Sequence, residues 1–227
     1  MLAYYKERPE IVRLVPETCR RVLDVGCGSG IVGSAIKRQR PGIEVRGIEP
    51  VAEAAAEARA VLDDVYEGYA GDDLPAGWPA PDCLVFADTL EHMPEPWSVL
   101  AGMTHRLPPG TVVIVSLPNV MHHAVLADLW KGRWDYRDEG VLDRTHLRFF
   151  TRMTAVELIE SAGLTVESLD RVANYPGPGL VKHILRMLTW PARAWERRRG
   201  TPRRGRSILD PFTLQYLFRA RTPDAPG

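Results

Sequence analysis

The chain has 227 residues, 45% hydrophobic and 26% charged, with equal numbers of acidic and basic side chains. That length holds one α/β domain with a full core and is too short for two ordinary catalytic domains, and the composition excludes wholesale disorder, a collagen-like chain or a disulfide scaffold. Apolar runs fall short of the ~18 residues a membrane helix needs, and the start Met1-Leu2-Ala3-Tyr4-Tyr5-Lys6 lacks the pattern of a secretory signal, so the expected compartment is the cytoplasm.

Short apolar strands alternate with helical segments along most of the chain, the pattern of a mostly parallel sheet covered on both faces. The first strand spans Val22 to Val25 and ends in a glycine loop; a helix over Ile31 to Arg40 stops at Pro41-Gly42. A second strand, Glu44 to Ile48, leads into an alanine-rich helix from Pro50 to Leu62. Weaker strand character follows at Val65 to Tyr69, then a strand at Asp82 to Ala87, a helix at Pro94 to Arg106 and a Val/Ile-rich strand at Thr111 to Leu117. After a helical stretch near Met121 to Trp130, the polar and aromatic run Gly132 to Phe150 has no clean period, which marks a functional or a disordered segment, and its aromatics Trp134, Tyr136, Phe149 and Phe150 favour the functional one. A helix over Thr154 to Ala162, a strand Leu164 to Leu169, a basic amphipathic segment and a last strand Phe212 to Ala220 complete a single domain over residues 1–227. Residues 119–150 are expected to cap an active site, and residues 178–206 to be an insertion before the last strand.

Cys19, Cys27 and Cys83 show no CxxC or Cys/His ligand spacing, so reduced thiols and no metal site are expected. The charge is segregated. From Leu180 to Arg206 nine basic residues face Glu196 alone, a net +8, and the rest of the chain carries −8.

The densest signal is Val22-Leu23-Asp24-Val25-Gly26-Cys27-Gly28-Ser29-Gly30, directly before a helix. Glycines at this spacing allow a tight turn and close approach of a ligand, and the helix start offers free N–H groups. Nineteen residues past Gly30, Glu49 ends the second strand, where a carboxylate can accept from both hydroxyls of a ribose. An adenosine-bearing ligand is the expectation. Gly28-Ser29-Gly30-Ile31-Val32-Gly33 also satisfies GxGxxG, which leaves a nicotinamide cofactor formally open.

The loop, with Asp24 inside the strand, resembles the first motif of class I S-adenosylmethionine-dependent methyltransferases. The resemblance continues through Leu84-Val85-Phe86-Ala87-Asp88-Thr89-Leu90-Glu91-His92-Met93, the turn Leu107-Pro108-Pro109-Gly110, and Ser116-Leu117-Pro118-Asn119-Val120. Gly132-Arg133-Trp134-Asp135-Tyr136 and Leu142-Asp143-Arg144-Thr145-His146-Leu147-Arg148-Phe149-Phe150 are similar to a bacterial small-molecule subgroup often found with glycosyltransferases or natural-product enzymes. It implies a doubly wound, mostly parallel seven-stranded α/β sheet with an antiparallel last strand, and S-adenosyl-L-methionine as cofactor. The implied cofactor residues are Asp24, Gly26, Cys27, Gly28, Gly30, Glu49, Pro50, Ala87, Asp88 and His92, with Tyr69 or Asp72 taking the adenine where the subgroup has Gly-Asp.

An alcohol acceptor must lose its proton as the new bond forms, and histidine suits that task near neutral pH. His146 is the first choice of base and His122 the second, with Asp143 as orienting carboxylate. Asn119, Trp134, Tyr136, Arg144, Arg148 and Phe149 are the expected acceptor-binding residues, the arginines suiting an anionic, nucleotide-linked or lipid-linked molecule. The expectation is O-methylation of a sugar or secondary-metabolite hydroxyl. N-methylation of a small amine and a non-catalytic scaffold are the alternatives. For the basic segment, contact with a membrane surface or an anionic acceptor is open, and nucleic acid is disfavoured because no recognition motif accompanies the charge.

Overall fold

Strand residues alternate between two faces, and each face has its own apolar cover. The structure, a computed structural model, describes residues 7–71, 76–199 and 207–224. Seven strands form one sheet: β1 (Arg21–Val25), β2 (Glu44–Glu49), β3 (Asp64–Glu67), β4 (Cys83–Ala87), β5 (Val112–Pro118), β6 (Thr165–Ala173) and β7 (Thr213–Arg221). Their order is β3-β2-β1-β4-β5-β7-β6. β7 runs antiparallel to both neighbours and the remaining pairs are parallel, as expected from the sequence.

Val22, Val45, Val85 and Ile114 point to one face, against α1 (Pro9–Val12), α2 (Ile31–Gln39) and α3 (Ala52–Arg59). Leu23, Leu84, Phe86, Val113 and Val115 point to the other, against α4 (Pro96–His105) and α6 (Arg152–Ser161). β5 is buried at every residue, whereas β3, at the sheet edge, buries Val65 alone. α5 (His123–Trp130) lies within the segment that joins β5 to α6. Both ends of that segment are tied together, because Asn119 bridges Phe150 and the Val120 N–H donates to the Phe150 carbonyl at 2.9 Å.

Between β6 and β7 the basic segment forms α7 (Gly179–Leu188) and α8 (Trp190–Arg199). A buried ionic network fixes it. Asp210 accepts from Arg152 at 3.1 Å, Arg171 at 2.9 Å and the Tyr216 hydroxyl at 2.7 Å, while Arg171 also donates to Glu196 of α8 at 2.9 Å. Residues 200–206, the end of the expected insertion, lie outside the described residues. Among the described residues, no helix is long and apolar enough to cross a membrane.

Candidate active site

The carboxyl ends of β1, β2, β4 and β5 meet at one sheet edge, the place where open α/β sheets bind ligands. Gly26, Gly28 and Gly30 all have left-handed φ, of 73°, 54° and 79°. The loop is also tightly enclosed. A Cβ on Gly26 would lie 2.3 Å from the Thr89 methyl, and one on Gly30 would lie 2.8 Å from Val61. Thr89 is held by a 3.0 Å hydrogen bond to the Val25 carbonyl, so the turn after β4 abuts the glycine loop.

Glu49 is buried at the end of β2, and its carboxylate accepts from the Gly28 N–H at 2.8 Å and the Val51 N–H at 3.0 Å. Two carboxylate oxygens have about four acceptor sites, so lone pairs remain for ribose hydroxyls. Asp24 is fully enclosed and neither side-chain oxygen has a hydrogen-bond partner. Burial, and then the neighbouring Glu49 charge, push its carboxyl up to about 7. A desolvated acid beside a glycine cradle calls for a donor or cation from a ligand. These residues fit the methionine and ribose ends of S-adenosylmethionine.

Two cofactor expectations change in form. The Cys27 thiol turns inward, since a Cβ on Gly47 would stand 2.4 Å from its sulfur, so Cys27 can serve the cleft through its main chain alone. Burial also raises that thiol well above its ordinary value, which keeps it protonated. Tyr69 is 84% exposed rather than walled into the cleft, because the chain leaves the sheet after Gly68. Asp72 lies outside the described residues.

A second cluster follows β4. Glu91 and His92 occupy a 3-10 turn, and the Glu91 carbonyl accepts from the N–H groups of Leu147 and Arg148, which draws the cap segment onto this turn. His92 and His146 thereby meet edge to face, with ring centroids 4.8 Å apart. His92 Nδ1 lies 3.1 Å from the Thr145 carbonyl and His146 Nδ1 lies 2.9 Å from the Val141 carbonyl. A carbonyl can only accept, so each neutral ring carries its proton on Nδ1 and its lone pair on Nε2. Burial, and then His146, hold His92 below its usual value. The Glu91 Oε2 is buried without a partner, and burial raises that carboxyl to about 8. Glu91, His92 and His146 place one potential ligand atom each within 4.8 Å of one another. His92, assigned from sequence to the cofactor, thus also sits against His146.

Trp134 and Phe149 pack edge to face at 5.2 Å, Tyr136 lies 6.2 Å from Phe149, and Phe149 lies 6.3 Å from His146. Trp134 and Tyr136 remain partly exposed, so this aromatic group walls the approach to His146. The other expected residues serve the scaffold. Asn119 is fully buried, donates to the carbonyls of Asp210 and Thr213 at 2.8 Å each and accepts from the Met121 N–H, leaving little capacity for an acceptor. His122 caps α5 through Nδ1, 3.4 Å from the Ala124 N–H, and pairs with His123 rather than His146. Asp143 turns to Thr145, and the Val141 carbonyl orients His146 in its place. Arg144 pairs with Asp138 on the surface, and Arg148 ties the cap to the Pro94 carbonyl and Glu95.

Asp88 has a left-handed backbone, φ 56°, and its carboxylate gathers Arg8, Ser116 and Gln215. Arg8 also donates to Gln215 at 2.6 Å and to Ser116 at 3.2 Å, so the N-terminal segment crosses the ends of β4, β5 and β7. Arg8, Thr89, Glu91, Ser116 and Gln215 have no mutual spacing in the sequence, and it is the β-strand order that brings them to this edge.

Residues 3–169 match a family model described as a methyltransferase domain. The chain is 30% identical to the ubiquinone biosynthesis O-methyltransferase of Burkholderia thailandensis, covering 67% of this chain and 71% of the relative. It is 29% identical to that of Xylella fastidiosa (strain 9a5c), covering 69% of each. A solved S-adenosylmethionine-dependent methyltransferase from Archaeoglobus fulgidus superposes with a TM-score of 0.60 at 17% identity, covering 94% of this chain and 92% of that one.

Proposed function

This chain belongs to the methyltransferase-domain family and is an S-adenosylmethionine-dependent methyltransferase of a small molecule, and we propose that the atom it methylates is a hydroxyl oxygen. One observation carries this reading: the imidazoles of His92 and His146, their Nδ1 atoms held by carbonyls, sit beside a buried Glu91 in the turn that follows Thr89 against the glycine loop. Oxygen acceptors need a proton removed, and a group whose lone pair is fixed by the tautomer is suited to it.

When bound, S-adenosylmethionine would supply a sulfonium-activated methyl group for transfer to the acceptor oxygen, with S-adenosylhomocysteine as the leaving group. His146 Nε2 takes the hydroxyl proton. The Val141 carbonyl holds the ring in the tautomer that leaves Nε2 available. His92, held below its usual value by burial and then by His146, disfavours a second positive charge at the pair. Phe149, Trp134 and Tyr136 orient the acceptor and exclude water, which is much of what an in-line transfer requires of a protein. Glu49 and Asp24 would hold the ribose and the charged end of the cofactor.

Sugars and secondary metabolites carrying a free hydroxyl are the first acceptor classes to test. The matched relatives are named for O-methylation in ubiquinone biosynthesis, which adds dihydroxybenzenes to the panel. Release of S-adenosylhomocysteine is measured with sugars, dihydroxybenzenes and small amines, for the wild type and for His146→Ala. The expected result is turnover with a hydroxyl acceptor that falls about 10²–10⁴-fold in the variant. Turnover with amines that His146→Ala leaves intact would replace this reading with N-methylation.

A further inference from the structure

The proton transfer proposed above employs one atom of the cluster behind β4, His146 Nε2, and leaves the Glu91 carboxylate without a task. Glu91 is 1% exposed, and its Oε2 is buried with no hydrogen-bond partner. A carboxylate oxygen taken out of water in this way costs stability unless a donor or a cation compensates it. Two imidazoles stand beside it. One potential ligand atom from each of Glu91, His92 and His146 lies within 4.8 Å of the others.

The surroundings of the two rings are those of metal ligands. His92 donates from Nδ1 to the Thr145 carbonyl at 3.1 Å and His146 from Nδ1 to the Val141 carbonyl at 2.9 Å, so each ring carries its lone pair on Nε2. A histidine that holds a metal has this support as a rule: the ring N–H given to a main-chain carbonyl fixes the tautomer, aims the ring and makes the other nitrogen a stronger ligand. The two halves of the cluster are also tied to each other. The Glu91 carbonyl accepts from the Leu147 N–H at 2.8 Å and the Arg148 N–H at 3.0 Å, so the cap segment carries His146 away from Glu91 and His92 only by breaking both bonds.

We propose that Glu91, His92 and His146 form a site for a divalent transition ion of the zinc class, and that an ion seated there shuts off methyl transfer by occupying the lone pair of His146. Two imidazoles and a carboxylate are a zinc ligand set that leaves a fourth position for water. Zinc ligands stand about 3.4 Å apart in a tetrahedron, so the three atoms draw together by about 1 Å when the ion binds. Magnesium and calcium, which take shells of oxygen ligands, do not match the set. The seating of the ion rests on this geometry alone. The loss of turnover rests on His146 being the base, as proposed above, since a nitrogen that holds zinc has no lone pair left for a hydroxyl proton.

The test is titration of the untagged full chain, stripped of metal, with zinc chloride, followed by calorimetry and by competition with a chromophoric chelator. One zinc per chain is expected, held against excess magnesium. Its affinity should fall about a hundredfold or more in Glu91→Gln and in His92→Ala and stay unchanged in His122→Ala, which breaks the other histidine pair. Histidine ring signals in NMR spectra of the wild type answer the same question without a variant, because zinc should shift those of His92 and His146 and leave those of His122 and His123 in place. Turnover with a hydroxyl acceptor should fall as zinc fills the site and return when a chelator removes it. A wild type that binds no zinc at micromolar concentrations overturns the proposal. So does zinc whose affinity Glu91→Gln and His92→Ala leave unchanged, or zinc that fills the cluster with no loss of turnover. Full turnover in His146→Ala overturns the assigned base and the inhibition with it, while the titration of the wild type still decides the site.

Discussion

Asp24→Asn separates the cofactor site from the rest of the fold. In the free protein Asp24 is fully enclosed, and burial with the Glu49 charge raises its carboxyl from 3.8 to about 7. The raised value means that the native state keeps a proton that the unfolded chain gives up above about pH 4. The contribution of Asp24 to stability is therefore fully present below pH 4 and is lost as pH rises through about 7. Roughly three pKa units at 1.36 kcal/mol each make the loss about 4 kcal/mol at most. Asparagine has the same size and no ionisation, so the variant should match the wild type near pH 4 and exceed it by up to about 4 kcal/mol near pH 8. Glu91, also raised by burial, titrates in both proteins and cancels in the difference. Urea unfolding of both ligand-free proteins across that range measures the gap. Affinity for S-adenosylhomocysteine should move the opposite way, falling in the variant because the charged end of the ligand loses its partner. A stability difference that stays flat with pH would refute the claim that Asp24 is an uncompensated acid awaiting a ligand.

Gly26→Ala puts a methyl group against Thr89 in a left-handed backbone, so it should cost about 1–3 kcal/mol in thermal or chemical unfolding and abolish binding of S-adenosylhomocysteine by calorimetry. His122→Ala should leave turnover close to wild type and lower stability, since His122 caps α5; loss of turnover without loss of stability would return it to the catalytic residues. His122 is held down to about 4 by burial and its neighbour His123, so its contribution is present above about pH 6.5 and lost as pH falls through about 4. Asp210→Ala removes the carboxylate shared by Arg152 and Arg171 from a buried network, a loss of about 3–5 kcal/mol in urea unfolding, and an unchanged midpoint would contradict the role given to that network. Turnover of the metal-stripped protein should be unaffected by a chelator. Inhibition by chelator that zinc or manganese reverses would reassign Glu91, His92 and His146 as ligands of a required metal.

The centre of the fold was readable in the chain because β1, β4 and β5 are mostly apolar segments between turn residues, and their burial follows those segments. Boundaries moved at strand ends, as when backbone pairing with β7 carries β6 on through Asp170 and Arg171 to Ala173, and β3 stops at Glu67. The glycine loop was equally legible, since left-handed φ and close packing leave glycine as the residue that fits. The acceptor side was not. A polar residue in an irregular segment looks the same whether it caps a helix, as His122 does, ties a loop, as Arg148 does, or meets a ligand. His146 keeps its expected place, yet its orienting partner is the Val141 carbonyl, and a main-chain acceptor has no residue type to read. Arg8 and Gln215 reach Asp88 from opposite ends of the chain, a convergence that follows from the position of β7 between β5 and β6.

The central claim is that this sheet edge holds S-adenosylmethionine, with Glu49 on its ribose. Calorimetric titration of the wild type and of Glu49→Gln with S-adenosylhomocysteine, with NADH as the competing ligand, tests it most directly. The expected result is one site per chain for the homocysteine product, no heat with NADH, and binding in the variant weakened about tenfold or more through loss of hydrogen bonds to a charged acceptor. Saturable binding of NADH, or product affinity that Glu49→Gln leaves unchanged, would contradict it.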